Sequence, residues 1–119
     1  MTATSVTLGS FTIHTNTDVD ETEDDVDSGA GTLYAVEIDN TLNGAITYVK
    51  LYEAAAADVT VGTTAPNFIF RVAASEKRVF HMPEGVAYAT ALSLAAVTAA
   101  GTAGVTGPTS AVTVRILHT

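Results

Sequence analysis

With 119 residues the chain has the length of one domain, and 13 acidic against 5 basic residues give it a formal charge of -8. It contains no Cys and no Trp, which excludes disulfide frameworks, zinc-thiolate sites and thiol nucleophiles, and five scattered bases do not suit a nucleic-acid surface. Ala, Thr and Val fill 54 of the 119 positions while Leu and Ile together fill 12, a composition of strands joined by many small contacts.

In chain order, Ser5 to His14 alternates Val6 and Leu8 with Thr7, then Phe11 and Ile13 with Thr12 and His14. The phase slips by one at Gly9-Ser10, which predicts a strand carrying a bulge or bend. Residues 18–27 then hold 7 of the 13 acids: Asp18, Asp20, Glu21, Glu23, Asp24, Asp25 and Asp27. Crowded carboxylates repel one another and resist burial together. The stretch 16–31, which leaves through Ser28-Gly29-Ala30-Gly31, is therefore expected to be a solvated, mobile loop unless a cation or a basic partner orders it.

Leu33 to Asp39 and Ala45 to Tyr52 flank Asn40-Thr41-Leu42-Asn43-Gly44, which predicts a hairpin turning at Asn43-Gly44 with positive φ. In that hairpin Lys50 lies near Glu37 and Asp39 as a cross-strand ion pair on a solvated face. The alanine run 54–57 is too short to nucleate a helix and is expected to be a connection with at most one turn.

Asn67 to Ala73 alternates Phe68, Phe70 and Val72 with Ile69 and Arg71, which predicts a core strand. Glu76 to Met82 is expected to end at Pro83-Glu84-Gly85, where Pro stops ladder pairing and Gly permits a reversal. Val86 to Ala95 reads as one strand with Tyr88, Leu92 and Leu94 on one side. Ala87, Ala89 and Ala91 on the other side offer a small-residue face for close approach. Ala99 to Pro108 reads as a long loop, and Ala111 to His118 as a closing strand with Val112, Val114 and Ile116 inward.

No helical period is sustained, and turn chemistry separates short alternating segments throughout. The pattern predicts an all-β, antiparallel β-sandwich or jelly roll over residues 1–119, of roughly seven to eight strands in two sheets, with the closing strand near the first. No apolar run approaches a membrane span. The opening MTATSVTLGS lacks the regions of an export signal, so the chain is expected to stay where it is made or to leave inside an assembly.

The acidic run has no Gly at the position a calcium hand requires, which leaves a solvated loop, with loose cation binding or attraction to a basic surface as the functional alternatives. His14, His81 and His118 do not share a face of one short element, although a cyclic trimer would bring one from each copy to its axis. No nucleophile elbow and no phosphate cradle occurs, so no catalytic residue, cofactor or metal ligand is assigned. Tyr34, Tyr48, Tyr52 and Tyr88 suit a core or an interface, with a sugar-stacking platform as the alternative.

From Leu33 onward the order of segments resembles small virion proteins of tailed bacteriophages. The matching pieces are Thr47-Tyr48-Val49-Lys50-Leu51-Tyr52, then Val61-Gly62-Thr63-Thr64-Ala65-Pro66 before Phe68-Ile69-Phe70. The Gly85 turn before Tyr88-Ala89-Thr90-Ala91-Leu92-Ser93 and the final Val112-Thr113-Val114 strand complete the match, over about 85 residues.

The resemblance implies a non-enzymatic β-sandwich located in the virion. It would bind the major capsid protein or another virion protein as a symmetric trimer or dimer, with neither nucleic acid nor membrane as partner. Capsid decoration or cementing is the expected function; a tail, neck or fibre-head component and a glycan-binding module are the alternatives. The expected partner-binding residues are Phe11 and Ile13 of the first strand and the seven acids of residues 18–27 as a docking arm. Ala87, Ala89 and Ala91 are expected to lie against a sister subunit. A core rich in Ala, Thr and Val buries limited apolar area per residue, and neighbours would add to it.

Overall fold

The computed structural model describes residues 3–119; Met1 and Thr2, which begin the segment read above for an export signal, lie outside the described residues. Nine strands follow in order: β1 (Ala3–Leu8), β2 (Phe11–Val19), β3 (Asp24–Asp27), β4 (Gly31–Asp39), β5 (Thr47–Tyr52), β6 (Phe68–Val72), β7 (Lys77–Tyr88), β8 (Leu92–Val97) and β9 (Val112–His118). A single 3-10 turn, Ala56–Asp58, lies in the alanine run.

Two antiparallel sheets form, with orders β1-β2-β9-β4-β7 and β3-β8-β5-β6. Leaving β1 aside, the strands pair as a nest: β5 with β6, β4 with β7, β3 with β8, and β2 with β9. The chain is thus one ribbon doubled back at the β5–β6 connection and rolled so that β9 meets β4 and β8 meets β5. That is a jelly roll, and an all-β antiparallel sandwich as anticipated.

Alternation builds the core. Leu33, Val36 and Ile38 of β4, Val112, Val114 and Ile116 of β9, and Val19 of β2 point inward from the five-stranded sheet. They meet Val26, Val49, Leu51, Val72, Leu92, Leu94 and Ala96 of the four-stranded sheet, all nearly inaccessible to water. Small and branched side chains allow the two layers to interdigitate closely.

Several local expectations are corrected. The slip at Gly9-Ser10 is a two-residue hairpin turn between β1 and β2, with Leu8 opposite Phe11 and Gly9 at φ 63°. A positive φ at the first central position is what Gly supplies at such a turn. Residues 40–46 are no hairpin, because β4 and β5 lie in different sheets and neither Asn43 nor Gly44 has positive φ.

A buried amide network turns that corner. Asn40 Nδ2 donates to the carbonyls of Ala45 and Ala73, its Oδ1 accepts from Thr47 and Asn43, and Asn43 also ties to Ser110. Each buried amide finds partners, which offset the cost of taking it out of water.

β6 does face the core through Val72, with Phe68 and Phe70 half-buried against it, but it lies at the edge of its sheet. β7 continues through Pro83 and Gly85, and residues 82–85 bulge opposite Tyr34. An edge strand tolerates a missing N–H on its open side, which is why Pro83 does not end it.

Candidate interaction surface

The outer face of the five-stranded sheet is open, and its rows follow from register. Val6, Ile13, Leu117, Ala35 and His81 stand side by side across β1, β2, β9, β4 and β7. The next row is Thr4, Thr15, Arg115, Glu37 and Val79. Leu8 and Phe11 extend the apolar patch to the hairpin tip, where the Phe11 ring meets Tyr34 edge-on with centroids 5.3 Å apart.

Val6 and Leu8 are each 56% exposed and Phe11 39%, a high exposure for neighbouring large apolar side chains on one surface. Beside them, Arg115 Nη1 donates to Glu37 Oε1 at 2.7 Å and Lys77 Nζ lies 3.6 Å from the same oxygen. A shallow hollow of about 190 Å³ between Ile13, Leu117, Ala35 and this ion pair completes the face.

β1 overhangs the sandwich. The five-stranded sheet is one strand wider than its partner, and every β1 residue from Thr4 to Leu8 is exposed, on both faces. The β1–β2 hairpin therefore forms a ledge supported only from the β2 side.

The outer face of the four-stranded sheet is covered instead. Lys50, buried on β5, donates Nζ to the carbonyls of Thr102 (3.1 Å) and Gly104 (2.8 Å), pinning the loop after β8 across the sheet. Burial lowers its pKa. Lys50 thus makes no pair with Glu37 or Asp39, which lie in the other sheet. Tyr52 and Ala95 are sealed by Val59, Ala54 and Val61 of the segment between β5 and β6.

The expected acidic loop is largely built into the body. Asp18 lies on β2, and Asp24, Asp25 and Asp27 form β3 around the buried Val26. Neutral donors reach several of these acids. Asn16 Nδ2 donates to Asp24 at 2.9 Å and the Ala56 N–H to Asp25 at 2.8 Å. Asp20 accepts from the Thr22 N–H, and its carbonyl accepts from Ala96. Glu21 lies against Gly107, and Glu23 is half-buried near Tyr52, whose phenol is raised in pKa by burial and by that charge. Burial also raises the Asp24 carboxyl, against the Asn16 hydrogen bond.

Asp27 belongs to a buried polar cluster that the sequence reading missed. The Tyr88 hydroxyl donates to Asp27 Oδ2 at 2.7 Å and lies 3.1 Å from His118 Nδ1, while His118 Nδ1 is 3.5 Å from Asp27. His14, on β2, contacts Ser5 Oγ through Nδ1 at 3.3 Å. Burial, then the nearby His118, lowers the His14 pKa, with Asp27 opposing. Burial and the Asp27 bond push the Tyr88 phenol far above its ordinary value, so it remains a donor. A Cβ at Gly31 would collide with the Tyr88 phenol, which explains a glycine at that point in β4. Among the described residues no group of three or more His, Asp or Glu could hold a metal ion.

The alanine face is absent as one surface. β7 ends at Tyr88 and β8 begins at Leu92, so Ala87 is exposed on β7, Ala89 is exposed in the turn, and Ala91 is buried. β8 itself is covered on both sides, so its small residues Ala95 and Ala96 pack within the chain. The tyrosines are dispersed likewise: Tyr52 and Tyr88 are buried, Tyr34 lies by Phe11, and Tyr48 lies on the other sheet. His14 and His118 are buried as well, leaving His81 exposed.

Phe11 and Ile13 lie on the open face. Val6, Leu8, Tyr34, Val79 and Leu117, which the sequence reading did not single out, share it. The signal was the phase slip: taken as a hairpin, it sets Val6 beside Ile13 and Leu8 beside Phe11. All five basic residues, Lys50, Arg71, Lys77, Arg78 and Arg115, lie within strands. No helix is long and apolar enough to cross a membrane among the described residues. No protein-family model matches the chain, and no curated protein matches its sequence.

Proposed function

We propose that this chain is a virion structural protein of tailed bacteriophages, a capsid decoration or cement protein that stabilises a shell by non-covalent contact with capsid subunits. The observation that carries the reading is the apolar patch of Val6, Leu8, Phe11 and Ile13, presented on an open sheet face and an overhanging ledge. Such a patch suits docking by shape and buried area, with no chemistry required. The segment order from Leu33 to the C-terminus supports the phage assignment. The jelly roll is compatible with it, since viral capsid domains use this architecture, as do lectins and cupins.

The acids serve contact less than their number suggests, because several are engaged within the fold. Attachment through the apolar patch should change little between low and high salt, where exposed charge pairs are screened over about 10 Å at 0.1 M. The experiment is immunogold electron microscopy of purified particles from the source, with antibody against this chain. Label over the heads is expected. Label confined to the tail moves the role to a tail or neck component, and particles without label refute the virion assignment.

A further inference from the structure

We propose that two copies of this chain join through their β1 edges, antiparallel about a two-fold axis at Ser5, turning two five-stranded sheets into one of ten strands. The inference is independent of the virion reading.

β1 is an edge strand without the usual protection. Natural edges carry Lys, Pro, inward charges or a covering loop. Ala3–Leu8 has none of these, and no Asp, Glu, Lys or Arg occurs before Asp18. The backbone geometry fixes which groups are available. In a two-residue hairpin Leu8 and Phe11 close the turn as a hydrogen-bonded pair, so alternation sends Thr4, Val6 and Leu8 toward β2. Ala3, Ser5 and Thr7 then direct their N–H and C=O groups to the open side. Their spacing is self-complementary: Ser5 opposite Ser5 of the second copy places Ala3 opposite Thr7 on both sides.

Three observations select a second copy as the occupant. Opposed residues keep the same face, so Val6 comes to lie beside Thr4 of the other chain, and the two apolar patches merge across the joint. The acidic segments follow the Asn16 end of β2, which is opposite Ala3. Antiparallel pairing therefore places the two acidic runs at opposite ends of the joint, while the joint itself is uncharged. A ledge solvated on both faces is marginal alone, and a further strand is what such a hairpin lacks. A six-residue strand joint buries less than the roughly 1,200 Å² of a stable interface, so the dimer should depend on concentration.

Sedimentation equilibrium across a concentration series should show the mass rising toward twice that of the monomer. Val6→Lys, on an exposed position of the outer face, should abolish the rise. The chain has no cysteine, which permits a register test with a short thiol-to-thiol crosslinker. Ser5→Cys should crosslink to dimer, because opposed Cα atoms in a hydrogen-bonded pair are about 5.5 Å apart. Leu8→Cys should not, because its copies would stand about 20 Å apart at the ordinary strand rise. A wild-type chain that stays monomeric throughout the series overturns the proposal. So does association that persists in Val6→Lys, or equal crosslinking at both positions. If Val6→Lys fails to fold, the Ser5 and Leu8 comparison decides alone.

Discussion

Tyr88 shows how one buried side chain joins three strands. Its hydroxyl, at the end of β7, reaches Asp27 on β3 and His118 on β9. Tyr88→Phe removes the donor and leaves Asp27 largely buried with less compensation. A loss of about 1–3 kcal/mol is expected from urea unfolding, the usual cost of an unsatisfied buried polar group. His14 makes the same region sensitive to acid. Its folded pKa is lowered, chiefly by burial, so the unfolded chain binds the proton more readily. The stability it contributes is present above the ordinary imidazole pKa and is lost as pH falls through it, at no more than about 1.4 kcal/mol per pH unit. Asp24, raised by burial, acts in the opposite sense near the carboxylate range, where its native form takes up the proton first. Urea midpoints between pH 7 and pH 5 should therefore fall in the wild type and stay flatter in His14→Gln.

At the level of elements, β8 explains why composition misled. Its outer side is sealed by Tyr52 and Val59, so Ala95 has no room to grow. Ala95→Leu should cost about 1–3 kcal/mol through overpacking. Ala87→Leu, on exposed β7, should change stability by less than about 0.5 kcal/mol, and thermal unfolding of the pair checks the contrast. The loop over β8 has its own anchor. Lys50→Met keeps the stem but removes both hydrogen bonds to the loop carbonyls, and amide exchange at Thr98 and Gly104 should accelerate while the inner strands stay protected.

Period-two alternation made most of the strands and the inward set of β9 legible, because it depends on each strand alone. It does not say which sheet a strand joins. That is why residues 40–46 read as a hairpin when Asn40 and Asn43 in fact satisfy a crossing between layers. β3 was hidden for a related reason: one buried Val26 among aspartates gives no hydrophobic pattern, and its partners, Asn16, the Ala56 N–H and Tyr88, come from distant segments. On the candidate face, Phe11 and Ile13 were visible as an apolar alternation. Val79 and Leu117 join them only through register set by the roll.

For the whole molecule, the nested pairing means that the outer strands close last in sequence separation, with His14 opposite Ile116. Only β1 lies outside that nest, which leaves it open to pair with something else. The roll also fixes where every Lys and Arg resides, since all five sit within strands and Lys50 is fully covered. Trypsin cuts after these residues alone and needs an unpaired, extended segment to do so. In the native chain each scissile bond is therefore held in a ladder, and digestion should follow the rate or extent of opening of the fold. The chain should outlast an equally sized protein with a lysine in a loop, and urea near the unfolding midpoint should remove that resistance.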